Sequence, residues 1–293
     1  MNSLFWQHSQ LPHLCQHLRA LDMSTWQPRR ALNLADKKAD WKAALAQLQR
    51  FASSDAYLHA SDFQAHAALE NYWQWQSQAQ EASILLVYGI DLGMPPATLQ
   101  SLYREIAALW QAAAEVGQHA RQSLQAQIGE AAGMTAPIPT RNVDGYRHAV
   151  LMLSLAVLLD VQDEIPALVE KVLEHDTDRL LDYLCAAALE LESASDDLFH
   201  RRPYGNLEPF FDQLGEASPE PLLPYLQAQY TDFHRLSPKQ QKKGGTWAGT
   251  WYWALEVGAL SVLYGWDDTA MRACKHYPAD LVNFARQSAN SAP

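Results

Sequence analysis

The run from Trp251 to Tyr264, WYWALEVGALSVLY, is apolar at nearly every position, and Glu256 is the only formal charge between Trp247 and Gly265. A helix that is apolar on every side has to be enclosed, either by other protein or by lipid. A bilayer needs about twenty such residues. The stretch from Thr246 carries Thr250, Glu256 and several glycines, and no second hydrophobic run flanks it. It therefore reads as the central helix of a water-soluble domain, from Trp251 to Tyr264. Gly265 supplies a left-handed stop. Asp267 and Asp268 then open a short helix, where acidic side chains favour the dipole. Pro278 suits the first turn of the helix after that.

Glu256 constrains the packing around this run. An unpaired charge at a buried position costs several kcal/mol, of the order of 3 or more. Glu256 needs a hydrogen-bonding partner, and two roles are open to it. It is either part of a buried network that holds helices in register or a functional carboxylate in a helical cleft.

Elsewhere the chain also reads as helical. At 293 residues with 48% apolar side chains it can bury a sizeable core in one or two domains. Only 13 glycines are present and period-2 alternation is weak, which argues against sheets. The fold class expected is all-α, a multi-helix bundle. An N-terminal helical region, 1–135, is expected to pack on a larger C-terminal helical domain, 143–293. Gly133 to Asn142, with Pro137 and Pro139, marks the boundary. Cys15, Cys185 and Cys274 are scattered and form no CxxC pair, as expected of a reducing compartment. The first residues, MNSLFWQHSQLPHL, lack a basic region followed by an apolar run. A cytoplasmic, membrane-free protein is the expectation.

Periodicity places the individual helices. Pro12 starts one to Leu21, and a linker from Trp26 to Lys38 leads into a second that ends at Phe51. Ser61 or Asp62 caps a long third helix to Tyr88, in which Trp73 and Trp75 fall on different faces. Gly89 to Pro96 breaks the chain. Another helix follows from Ala97 to Gly117, extendable with a bend to Ile128. In the C-terminal half, Asp144 opens a buried helix, Glu164 to Leu173 a short one, and Asp176 or Thr177 caps one to Glu192. Two more cover Leu207–Leu214 and Pro221–Phe233. Ser237 to Gly245, SPKQQKKGG, is a basic loop. The string Leu86-Val-Tyr-Gly-Ile-Asp91 echoes Val262-Leu-Tyr-Gly-Trp-Asp267, which is too short to define a repeat.

Charge is distributed unevenly. Net charge is −11. Residues 150–235 hold 17 acids against 5 bases, which leaves 16 acids against 17 bases elsewhere, so the acidity belongs to one segment. Its densest part carries Asp160, Asp163, Glu164, Glu170, Glu174, Asp176, Asp178 and Asp182, continued by Glu190, Glu192, Asp196 and Asp197. Such a segment repels nucleic acid and attracts a basic protein. Left unpartnered, it is a solvated face.

Sites of catalysis are hard to find. No GxSxG, P-loop, GxGxxG or HExxH occurs. His13 and His17 lie at i, i+4 without a clustered third ligand, and an exposed helix face explains them. His175-Asp176 reads as a helix terminus with a capping Asp before it reads as an acid/base pair. Asp267-Asp268 reads as a cap with a structural hydrogen bond before it reads as a cation site. No catalytic residue, metal or cofactor is expected.

Three strings near the C-terminus carry a family resemblance. They are Tyr252-Trp253-Ala254-Leu255-Glu256, then Leu263-Tyr264-Gly265-Trp266-Asp267-Asp268, then Tyr277-Pro278-Ala279-Asp280-Leu281-Val282. Their order and spacing resemble the C-terminal signature of the PoNe immunity proteins, with Trp251 standing where that family has Gly. The likeness spans the last 150 or so residues. It implies a non-enzymatic antitoxin that neutralises a DNase delivered between bacteria, with type VI secretion as the implied route. Within that signature, Trp253, Glu256, Gly265, Asp267, Asp268, Tyr277, Pro278 and Asp280 take a structural role. The partner implied is a cognate basic nuclease, with no nucleic acid or membrane bound and self-association left open.

On this resemblance the acidic segment becomes the expected partner-binding surface, through Asp160, Asp163, Glu164, Glu170, Glu174, Asp178, Asp182, Glu190, Asp196 and Asp197. It would occlude the toxin's active site or DNA groove. Tyr183, Phe199, Tyr204 and Phe210 are candidate aromatic anchors. Two other readings remain: a non-inhibitory helical scaffold or effector chaperone, and a small-molecule enzyme using Glu256 and Asp268.

Overall fold

A computed structural model describes residues 10–60, 64–129, 136–173, 178–212, 222–226 and 251–291. Among them the chain is all-α: no strand forms, and one isolated bridge joins Ile138 to Leu173. The chain divides into two compact units. One comprises 1–148 and 166–175, the other 149–165 and 176–293.

In the first unit, α1 (Gln10–Ala20) buries Leu11, Leu14, Cys15 and Leu18, the i, i+3, i+4, i+7 stripe of an amphipathic helix. Helix α2 (Leu34–Ala52) starts four residues before the expected Lys38, because the Asn33 side chain accepts from the Ala35 and Asp36 amides and caps it there. Trp41, Leu45, Leu48 and Phe51 face inward. After the one-turn α3 (Asp55–Leu58) come two long helices, α4 (Ala65–Leu92) and α5 (Pro96–Ile128). Three residues join them, so they run antiparallel as a hairpin. They meet closely. The Trp110 indole donates to Ser83 Oγ at 2.8 Å, and a Cβ on Gly117 would stand 2.6 Å from the Tyr72 ring. Helix α5 is continuous to Ile128, with Pro96 as its first residue.

Gly89 does not break α4, contrary to its composition. It sits inside the helix, and its missing side chain leaves room for the Met94 methyl, 2.8 Å from where a Cβ would be. The stop is Gly93, at φ +86, and a Cβ there would lie 1.9 Å from the Gln27 carbonyl oxygen. Gln27 and its neighbours thus wrap the end of α4. Arg29 donates to the Ile90 and Met94 carbonyls, and Arg30 grips the buried Asp91 carboxylate with two hydrogen bonds of 2.6 and 2.7 Å. Lys37 adds its charge at 3.5 Å. Of the two tryptophans on α4, Trp75 is fully buried between Phe51 and Tyr57, whereas Trp73 is 54% exposed.

Helix α6 (Val143–Leu158) has residues in both units. Asn142, one position ahead of it, accepts from the Asp144 and Gly145 amides and takes the capping role assigned above to Asp144. Helix α7 (Ile165–Lys171) starts and ends inside its expected span. In the second unit, α8 (Arg179–Leu189) is capped by Asp178 rather than by Asp176 or Thr177. Two one-turn helices, α9 (Arg201–Tyr204) and α10 (Glu208–Phe211), follow, and residues 222–226 are helical. The basic loop 237–245 lies outside the described residues. The central helix α11 (Leu255–Leu263) is shorter than its apolar sequence, and α12 (Ala279–Ser291) closes the fold.

From Leu255 to Ser261 every residue of α11 is buried. Gly258 lets it approach the start of α12 and the end of α6: a Cβ there would be 2.7 Å from Pro278 Cγ and 3.4 Å from Leu158 Cδ2. Trp251, Tyr252 and Trp253 are not helical and are partly exposed. Their segment is fastened instead to a neighbouring loop. The Ala254 amide donates to the His276 carbonyl at 2.9 Å, and His276 Nδ1 donates to the Tyr252 carbonyl at 3.0 Å. Bulky aromatic side chains are poorer helix formers than Ala or Leu, and this clasp satisfies the backbone that a longer helix would have paired.

A buried charge hub and a split acidic segment

Asp268 is the hub of the C-terminal signature. It is 3% exposed. Its Oδ1 accepts from Arg272 Nε and from an Arg286 guanidinium nitrogen, both at 3.0 Å. Its Oδ2 accepts from the Tyr277 hydroxyl at 2.8 Å. Burial pushes this carboxyl upward, but the hydrogen bonds from Arg272, Tyr277 and Arg286 outweigh it and hold the group below its ordinary value. Arg286 also binds the carbonyls of Ser261 and Trp266, at 3.3 and 2.7 Å, and Ser261 Oγ at 2.9 Å. One arginine on α12 thereby ties off the last carbonyls of α11 and the turn beyond it, a role that suits a guanidinium's planar fork of donors.

Around this hub the other signature residues have separate tasks. Gly265 adopts φ +64 and ends α11. Asp267 is exposed and accepts from the Thr269 amide and hydroxyl, which fixes the turn. Tyr277 is buried against Asp268, and Pro278 packs on Gly258. Asp280 lies exposed in the first turn of α12, where its charge suits the dipole. Trp253 sets its ring 5.1 Å from that of Tyr252. Glu256 is buried, and the Tyr225 hydroxyl donates to its Oε1 at 2.8 Å. Both Glu256 and Asp268 are thus embedded in packed side chains, and their hydrogen bonds serve the fold.

The acidic segment does not form one continuous outward face. Asp178 and Asp182 are buried, at 0% and 4% exposure, and are corrected here from surface acids to internal ones. Their carboxylates are taken up by backbone amides. Asp178 accepts from Leu181, at the start of α8, and from Phe199 at 2.8 Å. Asp182 accepts from Ser195 at 2.8 Å. The Arg179 amide donates to the Asp197 carbonyl at 2.6 Å. The first two turns of α8 therefore fasten the loop 190–199 against the helix. A helical projection shows the apolar stripe but not this loop, so the sequence offered no sign that these two acids point inward.

The outward acids are Asp160, Asp163, Glu170, Glu190, Glu192, Asp196 and Asp197, with Glu164 half-buried. Asp160 and Glu190 take positive φ, at 54° and 52°. Glu174 and the His175-Asp176 pair lie outside the described residues. Among the aromatic candidates, Tyr204 and Phe210 are core residues, while Phe199 and Tyr183 are half-buried. Tyr183 belongs to an aromatic ladder that the sequence reading did not assemble. Its ring stacks on Phe211 at 4.7 Å and meets the edge of Tyr264 at 6.2 Å, and Tyr264 stacks on Trp266 at 5.4 Å.

In the first unit His13 and His17 both direct Nδ1 to the Glu105 carboxylate. The pair ties α1 to α5. No group of three His, Cys, Asp or Glu among the described residues is placed to hold a metal ion. No described helix is long and apolar enough to cross a membrane.

Comparison with known proteins agrees with these features. Residues 7–128 match the family described as PA2201 N-terminal domain-like. Residues 176–281, which contain α8, the ladder and Asp268 with Arg272 and Tyr277, match the C-terminal family of PoNe immunity proteins (PoNi). No curated protein matches the chain. Among solved structures, the crystal structure of protein PA2201 from Pseudomonas aeruginosa is similar with a TM-score of 0.84 and 45% identity, over 98% of this chain and 100% of that one. With a PA2201-like N-terminal domain, a C-terminal domain of the PoNe immunity protein (PoNi) family built around Asp268, and 45% identity along its length to PA2201, the chain belongs to the family of PA2201.

Proposed function

We propose that this chain is a cytoplasmic immunity protein that binds a cognate nuclease toxin of the PoNe kind and blocks its active site or DNA groove. The observation that carries the proposal is the division of labour among the acids of the second unit. Asp178 and Asp182 are spent on backbone amides, and the loop they hold presents Glu190, Glu192, Asp196 and Asp197 to solvent. A nuclease grips a polyanion with basic residues. A fixed row of carboxylates competes for those residues, speeds encounter and needs no turnover. Asp160, Asp163, Glu164 and Glu170 extend the negative charge in sequence. In this reading the domain 143–293 carries the inhibitory surface.

The test is co-expression with the nuclease encoded beside it, together with a nuclease assay on the purified complex. Protection of cells and loss of DNA cleavage are expected. A complex that forms but still cleaves DNA overturns inhibition and leaves a scaffold. Failure to bind and to protect overturns the whole reading.

A further inference from the structure

We draw no further inference here: the strongest candidate, the surface patch on the outer side of α4 where Trp73 stands 54% exposed, carries none, since nothing in the structure shows what covers it.

Discussion

Asp268 and Arg286 stand 3.0 Å apart, and the bond between them joins the turn after α11 to the face of α12. Arg272 and Tyr277 complete the shell around the same carboxylate. Removing it leaves two partly exposed guanidinium groups and the buried Tyr277 hydroxyl without the carboxylate they share. Asp268→Ala is expected to cost about 3 kcal/mol, read from urea unfolding of the full chain. Asp267→Ala, one residue earlier but on the surface, is expected to leave the midpoint almost unmoved. The folded Asp268 carboxyl is held below its ordinary value, so its contribution is complete above the unfolded value near 3.8 and is lost as pH falls below it. Asp268→Asn should flatten that acid limb.

A second acid-labile group titrates at higher pH. His148 is 3% exposed, donates from Nδ1 to the Asp144 carbonyl and lies edge-on to Trp110. Burial is the main cause that holds its ring below the ordinary 6.5, so the folded state keeps it neutral. The unfolded chain takes up a proton near 6.5 while the folded chain does not. Stability therefore falls as pH drops below about 6.5. His148→Gln should remove that slope between pH 6.5 and 5. An unchanged slope in thermal unfolding would refute this assignment.

The two left-handed glycines invite a paired comparison. Gly265 is at φ +64 with nothing within 4 Å of its Cβ position, so Gly265→Ala costs only the backbone term, about 1 kcal/mol. Gly93 is at φ +86, and its Cβ position is 1.9 Å from Gln27 O. Gly93→Ala must displace the backbone wrapped around α4, and should cost about 3 kcal/mol or more. Equal midpoints for the two variants would show that the wrap yields freely.

These cases mark what was legible in the sequence. The helices were legible because their apolar residues recur at helical spacing, and the boundaries went astray where an unforeseen contact decided them. Gly89 resembles a breaker in composition, yet the Met94 methyl needs the space it leaves. The apolar run Trp251–Ala254 looks helical, yet His276 clasps its backbone. The partner of Glu256 was foreseeable as a need but not as Tyr225, which lies thirty-one residues away. Charge density likewise located an acidic segment without revealing which acids turn inward. The Leu86–Asp91 and Val262–Asp267 strings show the same limit. Gly89 lies within α4 and Gly265 ends α11, so similar letters serve different structures.

The inward and outward acids of the second unit separate fold from binding. Asp178 accepts from two backbone amides and caps α8, so Asp178→Ala leaves those buried donors unmatched and should cost about 2 kcal/mol or more. Asp182→Ala should loosen the loop at Ser195 in the same way. Both variants are expected to lose affinity for the nuclease only in step with their loss of folded protein. Reversal of Glu190, Asp196 and Asp197 to Lys touches exposed side chains and should leave the thermal midpoint in place. It should instead slow association with the nuclease and reduce the salt dependence of the rate. Stopped-flow association at two salt concentrations separates the two effects. If the triple reversal binds at the wild-type rate with the wild-type salt slope, the toxin does not meet the chain at this loop, and the outward carboxylates there are a solvated surface.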